Sequence, residues 1–154
     1  MEVYRICLAE YANDLFASGF RGRWNVKGSF VIYTAGSRAL ACLENVVHRS
    51  GEGLQSIFKV LVIHVPDELP REQIKANQLP ADWHKTRNYP LCQPIGEAWY
   101  HRGATAILEV PSSIVPNESN FILNTRHPDF RAIRIIRRED FNFDPRIKSN
   151  DPKA

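Results

Sequence analysis

Glu44 is the acidic side chain whose position most favours chemistry. It lies within residues 37–49, where apolar residues recur at helical spacing, and it stands at the border of that apolar stripe, one turn before His48. A carboxylate at the rim of a buried face has to be paired with a partner, be protonated, or serve in binding or catalysis. Two interpretations follow: a boundary residue that reaches solvent or pairs with His48, and an acidic group held on a rigid helix at the edge of a cleft.

The segment from Gly22 to Gly28 combines glycines with cations. Glycine lets a backbone approach a ligand closely, Arg23 offers a rigid fork of donors that suits phosphate oxygens, and Lys27 adds a point charge. The segment therefore fits recognition of an anionic ligand. The alternative is a solvated basic loop with Trp24 tucked into the core.

Tyr33 and Ser112 are further candidates for ligand contacts. The ring of Tyr33 can stack on a flat ligand, or the residue can be an ordinary core tyrosine. Ser112 leaves a strand at Pro111 and can hydrogen-bond a ligand, but it lacks the G-x-S-x-G context of an acyl-transfer nucleophile. Turn or strand-end roles are the alternative for Ser112 and for the asparagines Asn120 and Asn124.

Strands separated by short breaks have to position these residues. One helix is clear at residues 37–49, with Ser37 as its N-cap and Gly51 and Gly53 at its end. A mostly stranded chain with one or two helices indicates an α+β domain, and it lacks the regular βαβ alternation, the G-x-G-x-x-G and the phosphate-loop motif of common nucleotide folds. Strands are expected at 3–8, 30–35, 57–65, 105–110, 120–123 and 130–136, with a short helix within 68–83.

Length and composition limit the class of protein. The chain has 154 residues, so we expect a single domain over 1–154, with a core at about 4–146 and a polar tail at 148–154. The net charge of +3 falls short of the dense cationic face of a nucleic-acid binder. The three cysteines lack C-x-x-C spacing and the histidines lack metal-ligand spacing, so we expect no disulfide and no metal. No apolar stretch suits a membrane span, and we expect a cytoplasmic protein.

The order of these motifs resembles the RES domain, a family named after an arginine, a glutamate and a serine that its members share. The likeness runs from about Tyr4 to Arg146. The chain departs from the family at Phe20 and Arg21, where members often carry a second glycine beside the arginine motif. The likeness is carried by Tyr4-Arg5, Gly22-Arg23-Trp24-Asn25, Lys27-Gly28, Ile32-Tyr33-Thr34, Leu43-Glu44, Leu79-Pro80, Trp83, Gly96, Trp99, Val110-Pro111-Ser112, Asn120 to Asn124, His127-Pro128, Phe143-Asp144 and Arg146.

The resemblance implies a fold similar to ADP-ribosyltransferase toxins of the diphtheria type, with twisted mixed or antiparallel sheets, and it implies NAD⁺ as substrate. Members of the family act as toxins of bacterial type II toxin–antitoxin systems, neutralised by Xre-type helix-turn-helix antitoxins. They deplete NAD⁺ by hydrolysis or phosphorolysis, and ADP-ribosylation of a protein has also been attributed to the family. We therefore expect a homodimer within a toxin–antitoxin complex, with DNA contacted only through the antitoxin.

The resemblance also assigns roles to residues of this chain. Breaking the nicotinamide–ribose bond builds positive charge on the ribose, which Glu44 would stabilise. Arg5 and Arg23 would hold the pyrophosphate, Tyr33 would pack on the nicotinamide or ribose, and Ser112 would hydrogen-bond the nicotinamide end. The expected catalytic residues are Arg23, Tyr33, Glu44 and Ser112, and the expected NAD⁺ contacts are Arg5, Arg23, Lys27, Tyr33, Ser112 and Asn124.

Two other classes of function stay open. An RNA-binding or RNA-cleaving toxin is supported by the pI of about 8.9 and by a basic cluster near the C-terminus, but its cations are not interleaved with a run of aromatic residues. An inactive scaffold that only binds a partner is the third hypothesis. The basic cluster consists of Arg131, Arg134, Arg137 and Arg138.

Overall fold

A computed structural model describes residues 1–48 and 56–147 and shows one mixed sheet of seven strands with two α-helices. Four short 3₁₀ helices lie between them, at Ala9–Tyr11, Ala76–Gln78, Thr86–Asn88 and Pro128–Ala132. The strands are β1 (Glu2–Leu8), β2 (Val31–Ala35), β3 (Phe58–His64), β4 (Arg71–Gln73), β5 (Ile107–Pro111), β6 (Ser119–Asn124) and β7 (Arg134–Phe141), and the helices are α1 (Arg38–His48) and α2 (Tyr89–Arg102).

The sheet is divided near its middle. Its strand order is β4-β5-β6-β2-β1-β3-β7, with β4 parallel to β5 and every other neighbouring pair antiparallel. β1 pairs with β3 along its full length, and β2 pairs with β6 along its full length. β1 and β2 themselves are joined in register at one pair, Tyr4 with Ala35. The two halves therefore separate on either side of that pair, and they leave space between neighbouring strands.

Helix α1 packs against the sheet beside this division. Ser37 caps it, because its Oγ accepts a hydrogen bond of 3.1 Å from the N–H of Leu40. Leu40 and Ala41 are buried against Ile6 and Ala35, which belong to β1 and β2. Burial of this apolar face fixes the rotation of the helix, so its polar border faces the gap between the two strands.

Helix α2 makes a close contact that one glycine permits. Its Gly96 lies against the backbone of Trp24, and a Cβ added there would stand 1.8 Å from the Trp24 carbonyl oxygen. Trp24 and Trp99 belong to the same buried cluster. The absence of a side chain at Gly96 therefore allows the 22–28 segment, including Trp24, to pack closely against α2.

The mixed α and β architecture confirms the expected α+β class, and the expected strands lie within about two residues of the observed ones in most cases. The short helix expected within 68–83 is the 3₁₀ helix Ala76–Gln78, and the unexpected strand β4 precedes it. One expectation is wrong: the strand expected at 130–136 begins at Arg134, because a 3₁₀ helix occupies Pro128–Ala132. The sequence did not predict α2. The expected helix end at Gly51 and Gly53 and the polar tail from 148 lie outside the described residues.

Candidate active site

A cavity of about 460 Å³ lies where β1 and β2 part. Residues of both strands line it, including Arg5 and Tyr33. Two further groups of residues form much of its walls, and Tyr89, Val110, Pro111, Ser113 and Asn120 contribute the rest. We call the α1 residues Ala41, Glu44, Asn45 and His48 the helix wall, and the lining residues within 16–24 the loop wall. The volume is within the range of small-molecule sites, about 300–1,000 Å³.

Arg5 spans the gap between the separated strands. Its Nη1 donates a hydrogen bond of 3.1 Å to the carbonyl oxygen of Tyr33 in β2. Burial lowers the pKa of the Arg5 guanidinium, and no carboxylate of the described residues forms an ion pair with it. A guanidinium stays charged in proteins even when its pKa falls. The cavity therefore contains a desolvated cation to which an anionic ligand would supply the missing counter-charge.

Glu44 places a carboxylate on the helix wall of the same cavity. Its side chain is 21% exposed, and its Oε1 accepts a hydrogen bond of 2.7 Å from Asn120 Nδ2. His48 Nε2 stands 3.3 Å from the other oxygen, Oε2. Burial is the largest influence and raises the pKa of Glu44, but the hydrogen bonds from His48, Asn120 and Ser112 together outweigh it and lower the pKa. The carboxylate is therefore ionised at neutral pH.

Ser112 supports Glu44 from below the cavity surface. It is buried, and its Oγ lies 3.4 Å from Glu44 Oε1. The same oxygen accepts hydrogen bonds from the N–H groups of Ile114 and Val115, at 3.1 and 3.0 Å. Because Ser112 does not line the cavity, whereas the adjacent Ser113 does, its geometry suits orientation of Glu44 better than direct contact with a ligand.

Tyr33 contributes its ring to the cavity, while its hydroxyl is bound to the 22–28 segment. The hydroxyl donates to Asn25 Oδ1 at 2.6 Å and accepts from the N–H of Trp24 at 3.0 Å. Burial raises the pKa of Tyr33 well above its ordinary value. The hydroxyl is therefore neutral and fully engaged, and the ring face is the part that a ligand can use.

Arg23 both lines the cavity and ties the loop wall to the chain before α2. Its Nη1 donates to the carbonyl oxygen of Trp83 at 2.7 Å, and its Nη2 donates to that of His84 at 2.8 Å. A longer bond of 3.3 Å reaches the carbonyl of Lys85. The guanidinium also lies 4.6 Å from the ring centroid of Tyr89. Much of its donor capacity is spent inside the protein, which leaves less for a phosphate than the sequence suggested.

The structure does not bring Lys27 and Asn124 to the cavity. Lys27 is exposed and Asn124 is buried, and neither belongs to its lining. Asn124 Oδ1 accepts from the N–H of Arg126, and its Nδ2 lies 3.4 Å from the carbonyl oxygen of Tyr100. The strand-end role considered for Asn124 accounts for these contacts, and the environment of Lys27 matches a solvated loop position.

Sequence reasoning missed several lining residues. The sequence favours a turn or strand-end role for Asn120, yet its side chain donates a hydrogen bond to Glu44 from β6. Asn45 follows Glu44 on the helix wall and donates to the carbonyl oxygen of Ile6 at 3.2 Å. Adjacent helix positions do not face the same side, so spacing gives no signal for Asn45, and the contact of Glu44 with Asn120 joins residues far apart in the chain.

Two arginines of the C-terminal basic cluster, Arg137 and Arg138, do not share one surface. Arg137 and Arg138 are neighbours on β7, so their side chains leave opposite faces of the sheet. Arg137 stands 3.7 Å from Glu2, whereas Arg138 donates to the backbone carbonyls of Ala12 and Asn13. This arrangement gives little support to a nucleic-acid interface.

The cavity combines one ionised carboxylate with three arginines, Arg5, Arg21 and Arg23. Such a site suits a ligand that is anionic in one part and becomes cationic in another during reaction. Within residues 1–48 and 56–147, no three His, Cys, Asp or Glu side chains gather as a metal site requires, and the expected absence of a metal stays a prediction. Neither described helix has the length and apolar character of a membrane span.

Comparison with known proteins assigns the chain to a family. The family model described as "RES domain" matches residues 2–144. The chain belongs to the RES domain family. It is 38% identical over 141 residues to "Prs ADP-ribosylating toxin" of Sphingobium sp. (strain YBL2), covering 88% of each chain.

Two further RES-domain relatives carry the name "Toxin Res". The protein of Yersinia enterocolitica is 33% identical over 153 residues, which are 96% of this chain and 100% of the relative. The protein of Photorhabdus laumondii is 33% identical over 152 residues, which are 96% of this chain and 97% of the relative. The match therefore extends over nearly the whole length of both relatives.

Proposed function

We propose that this RES-domain protein is a toxin that consumes NAD⁺ by breaking its nicotinamide–ribose bond. The observation that carries the proposal is that an ionised Glu44 and the guanidinium of Arg5, which has no carboxylate partner among the described residues, line the same cavity. NAD⁺ has the matching charges, because its diphosphate is anionic and its ribose becomes cationic as nicotinamide leaves. The names of the relatives, "Prs ADP-ribosylating toxin" and "Toxin Res", support the same chemistry and the same role.

The reaction breaks the bond between ribose C1′ and the pyridinium nitrogen. The electron pair of that bond moves to the ring nitrogen, which neutralises the pyridinium and releases nicotinamide. Positive charge develops on the ribose as an oxocarbenium-like group, and a nucleophile then forms the new bond to C1′ and loses a proton. Glu44 stabilises the developing cation or accepts a hydrogen bond from the adjacent ribose hydroxyl. Nicotinamide leaves without protonation, so no second carboxylate is required.

Other residues bind and orient the substrate. Arg5 supplies the counter-charge of the diphosphate, and the ring of Tyr33 packs on the nicotinamide or ribose. Asn120 and Ser112 hold the Glu44 carboxylate in position. Arg23 holds the loop wall, and it reaches the ligand with the donors that the backbone carbonyls leave.

Two acceptors for the ribosyl group are considered. Water or phosphate would give ADP-ribose or its 1″-phosphate, which drains the NAD⁺ pool. A protein side chain would give an ADP-ribosylated target, and the name of the Sphingobium relative favours this second outcome. Both outcomes use the same bond cleavage and the same site.

The proposal extends to fold, partner and location. A sheet divided at the substrate cavity suits the diphtheria-type ADP-ribosyltransferase fold that the family resemblance implies. An enzyme that empties the NAD⁺ pool has to be blocked until it is needed, which suits an Xre-type antitoxin as partner and a cytoplasmic location, and the family resemblance implies a toxin homodimer within the complex. Contact with DNA would then occur through the antitoxin.

The experiment uses purified full-length chain and NAD⁺, with the products separated by chromatography. We expect nicotinamide together with ADP-ribose in plain buffer, or with ADP-ribose 1″-phosphate when inorganic phosphate is present. Nicotinamide released only in the presence of a bacterial lysate, with label from NAD⁺ on a protein, would assign the transferase. No nicotinamide under any of these conditions would overturn the proposal.

A further inference from the structure

Two phenylalanines on the loop wall expose their rings beside the cavity. Phe16 is 65% exposed and Phe20 is 76% exposed, and both line the cavity. Large apolar rings of this exposure on a cavity edge are available to a flat ligand. They are far more exposed than the Trp24 ring of the same wall, which is packed in the core.

The backbone beneath Phe20 is fixed although the ring is free. Its carbonyl oxygen accepts a hydrogen bond of 2.8 Å from Asn25 Nδ2, and its N–H donates to Ser18 Oγ at 3.2 Å. Gly19 adopts a positive φ of 75° and packs against Phe30, where an added Cβ would stand 2.9 Å from the ring. These contacts hold the backbone that carries Phe20 in one conformation, which lowers the backbone entropy lost when a ligand binds to its ring.

A cation stands next to these rings. Arg21 lines the cavity, is exposed, and has its guanidinium 6.0 Å from the ring centroid of Tyr89. Arg23 differs, because backbone carbonyls of residues 83–85 take its donors. Exposed aromatic faces beside an accessible guanidinium are the elements that bind a nucleobase and its phosphate.

We infer that Phe16 and Phe20 stack on the adenine ring of NAD⁺ while Arg21 faces the diphosphate. The inference rests on the proposed function, which puts the nicotinamide riboside beside Glu44 on the helix wall. The adenylate half then extends to the loop wall, where the exposed rings are. The loop wall thereby determines the affinity for a dinucleotide over a mononucleotide, without touching the reacting bond.

The test compares two half-ligands on three proteins. The proteins are the native chain, the double variant Phe16→Ala/Phe20→Ala and the control Tyr11→Ala, which removes a 59% exposed ring outside the cavity lining. The probes are AMP, which has the adenylate half, and nicotinamide mononucleotide, which has the scissile bond and lacks adenine. Dissociation constants come from ligand-detected NMR titration, so the binding readout does not depend on turnover.

We expect the double variant to weaken AMP binding about tenfold, the loss of one base–aromatic stack, and to raise the KM for NAD⁺ by a similar factor. Nicotinamide mononucleotide should bind all three proteins equally, and Tyr11→Ala should match the native chain. AMP that binds the double variant as well as the native chain, AMP that binds neither, or an equal loss for both probes would overturn the inference.

The proposed function fails in a different way. A native chain that releases no nicotinamide, while AMP binding still weakens in the double variant, would leave an adenylate subsite on a protein that does not cleave NAD⁺. A native chain that releases nicotinamide, with AMP binding unaffected by the two substitutions, would keep the enzyme and remove the subsite.

Discussion

Replacing the Glu44 carboxylate by an amide tests the proposed chemistry with little change of shape. In the Glu44→Gln variant the side-chain oxygen can still accept from Asn120 Nδ2, which lies 2.7 Å from Oε1 in the native chain. The apolar contacts of Leu40 and Ala41 that hold α1 are untouched. The substitution therefore removes one negative charge from the helix wall and leaves its packing in place.

The size of the effect follows from Coulomb's law. A unit charge of each sign about 4 Å apart, at an effective dielectric constant of about 20, interacts by about 4 kcal/mol. This dielectric constant suits Glu44, whose side chain is 21% exposed. If the ribose carries about half a unit charge in the transition state, its interaction with the Glu44 carboxylate stabilises that state by about 2 kcal/mol. We expect kcat to fall by a factor between about 30 and 1,000, with little change in the KM for NAD⁺.

The assay is nicotinamide release at saturating NAD⁺, with thermal unfolding measured on the same samples. His48→Gln is the matched control, because it removes a neighbour of Glu44 on the same helix and keeps the carboxylate. Its kcat at neutral pH should stay within about fivefold of the native value, since the carboxylate keeps its hydrogen bond from Asn120 and the His48 side chain is 57% exposed. A folded Glu44→Gln variant whose kcat lies within threefold of native, about 0.7 kcal/mol, would refute the assigned role.

Three further outcomes are expected. Arg5→Met should raise the KM for NAD⁺ by about 10- to 100-fold, which is the contribution of a hydrogen bond to a charged group. It should lower the melting temperature little, because it removes a desolvated cation. A large fall in melting temperature with unchanged KM would contradict this prediction. Gly96→Ala should reduce the free energy of unfolding in urea by about 2 kcal/mol or more, because the methyl group would stand 1.8 Å from the Trp24 carbonyl, and an unchanged midpoint would count against the contact. The hydrogen bond from His48 helps lower the pKa of Glu44. The acid limb of the kcat–pH profile should therefore lie below the ordinary pKa of glutamate in the native chain, and it should move to higher pH in His48→Gln. Acid limbs that coincide in the two proteins would show that His48 does not act on Glu44.

Helix α1 could be predicted from the sequence because its signals are local. Ser37 is a capping residue before an apolar stripe, and the structure confirms its bond to the Leu40 N–H. The i, i+4 spacing of Glu44 and His48 also predicted their contact, which the structure places at 3.3 Å. The two interpretations of Glu44 prove compatible, since the residue pairs with His48 and lines the cavity as well.

Helix α2 could not be predicted because its prolines indicate a break. Pro90 stands in the first turn, where the missing N–H costs nothing, and Pro94 lies inside the helix. Its buried residues Cys92, Gly96 and Trp99 include a glycine, so the apolar stripe is interrupted. Tertiary contact with Trp24, rather than local propensity, accounts for the helix.

The residue types of the site were predictable from the sequence, but the contact that each residue makes was not. Arg23 fitted a phosphate contact by type, yet the carbonyl oxygens that it binds belong to residues about 60 positions away. Arg5 and Glu44 reach one cavity because β1 and β2 separate beside α1, and no short-range pattern encodes that separation. Spacing reports on neighbours along the chain, whereas this site is assembled from distant segments.

The central claim concerns where NAD⁺ lies, and a crystal structure of the Glu44→Gln variant with NAD⁺ tests it most directly. We expect C1′ of the nicotinamide ribose about 4 Å from the side chain at position 44, with the diphosphate next to Arg5, between the separated strands β1 and β2. A dinucleotide bound elsewhere on the chain, or bound in this cavity with its nicotinamide ribose turned away from α1, would contradict it.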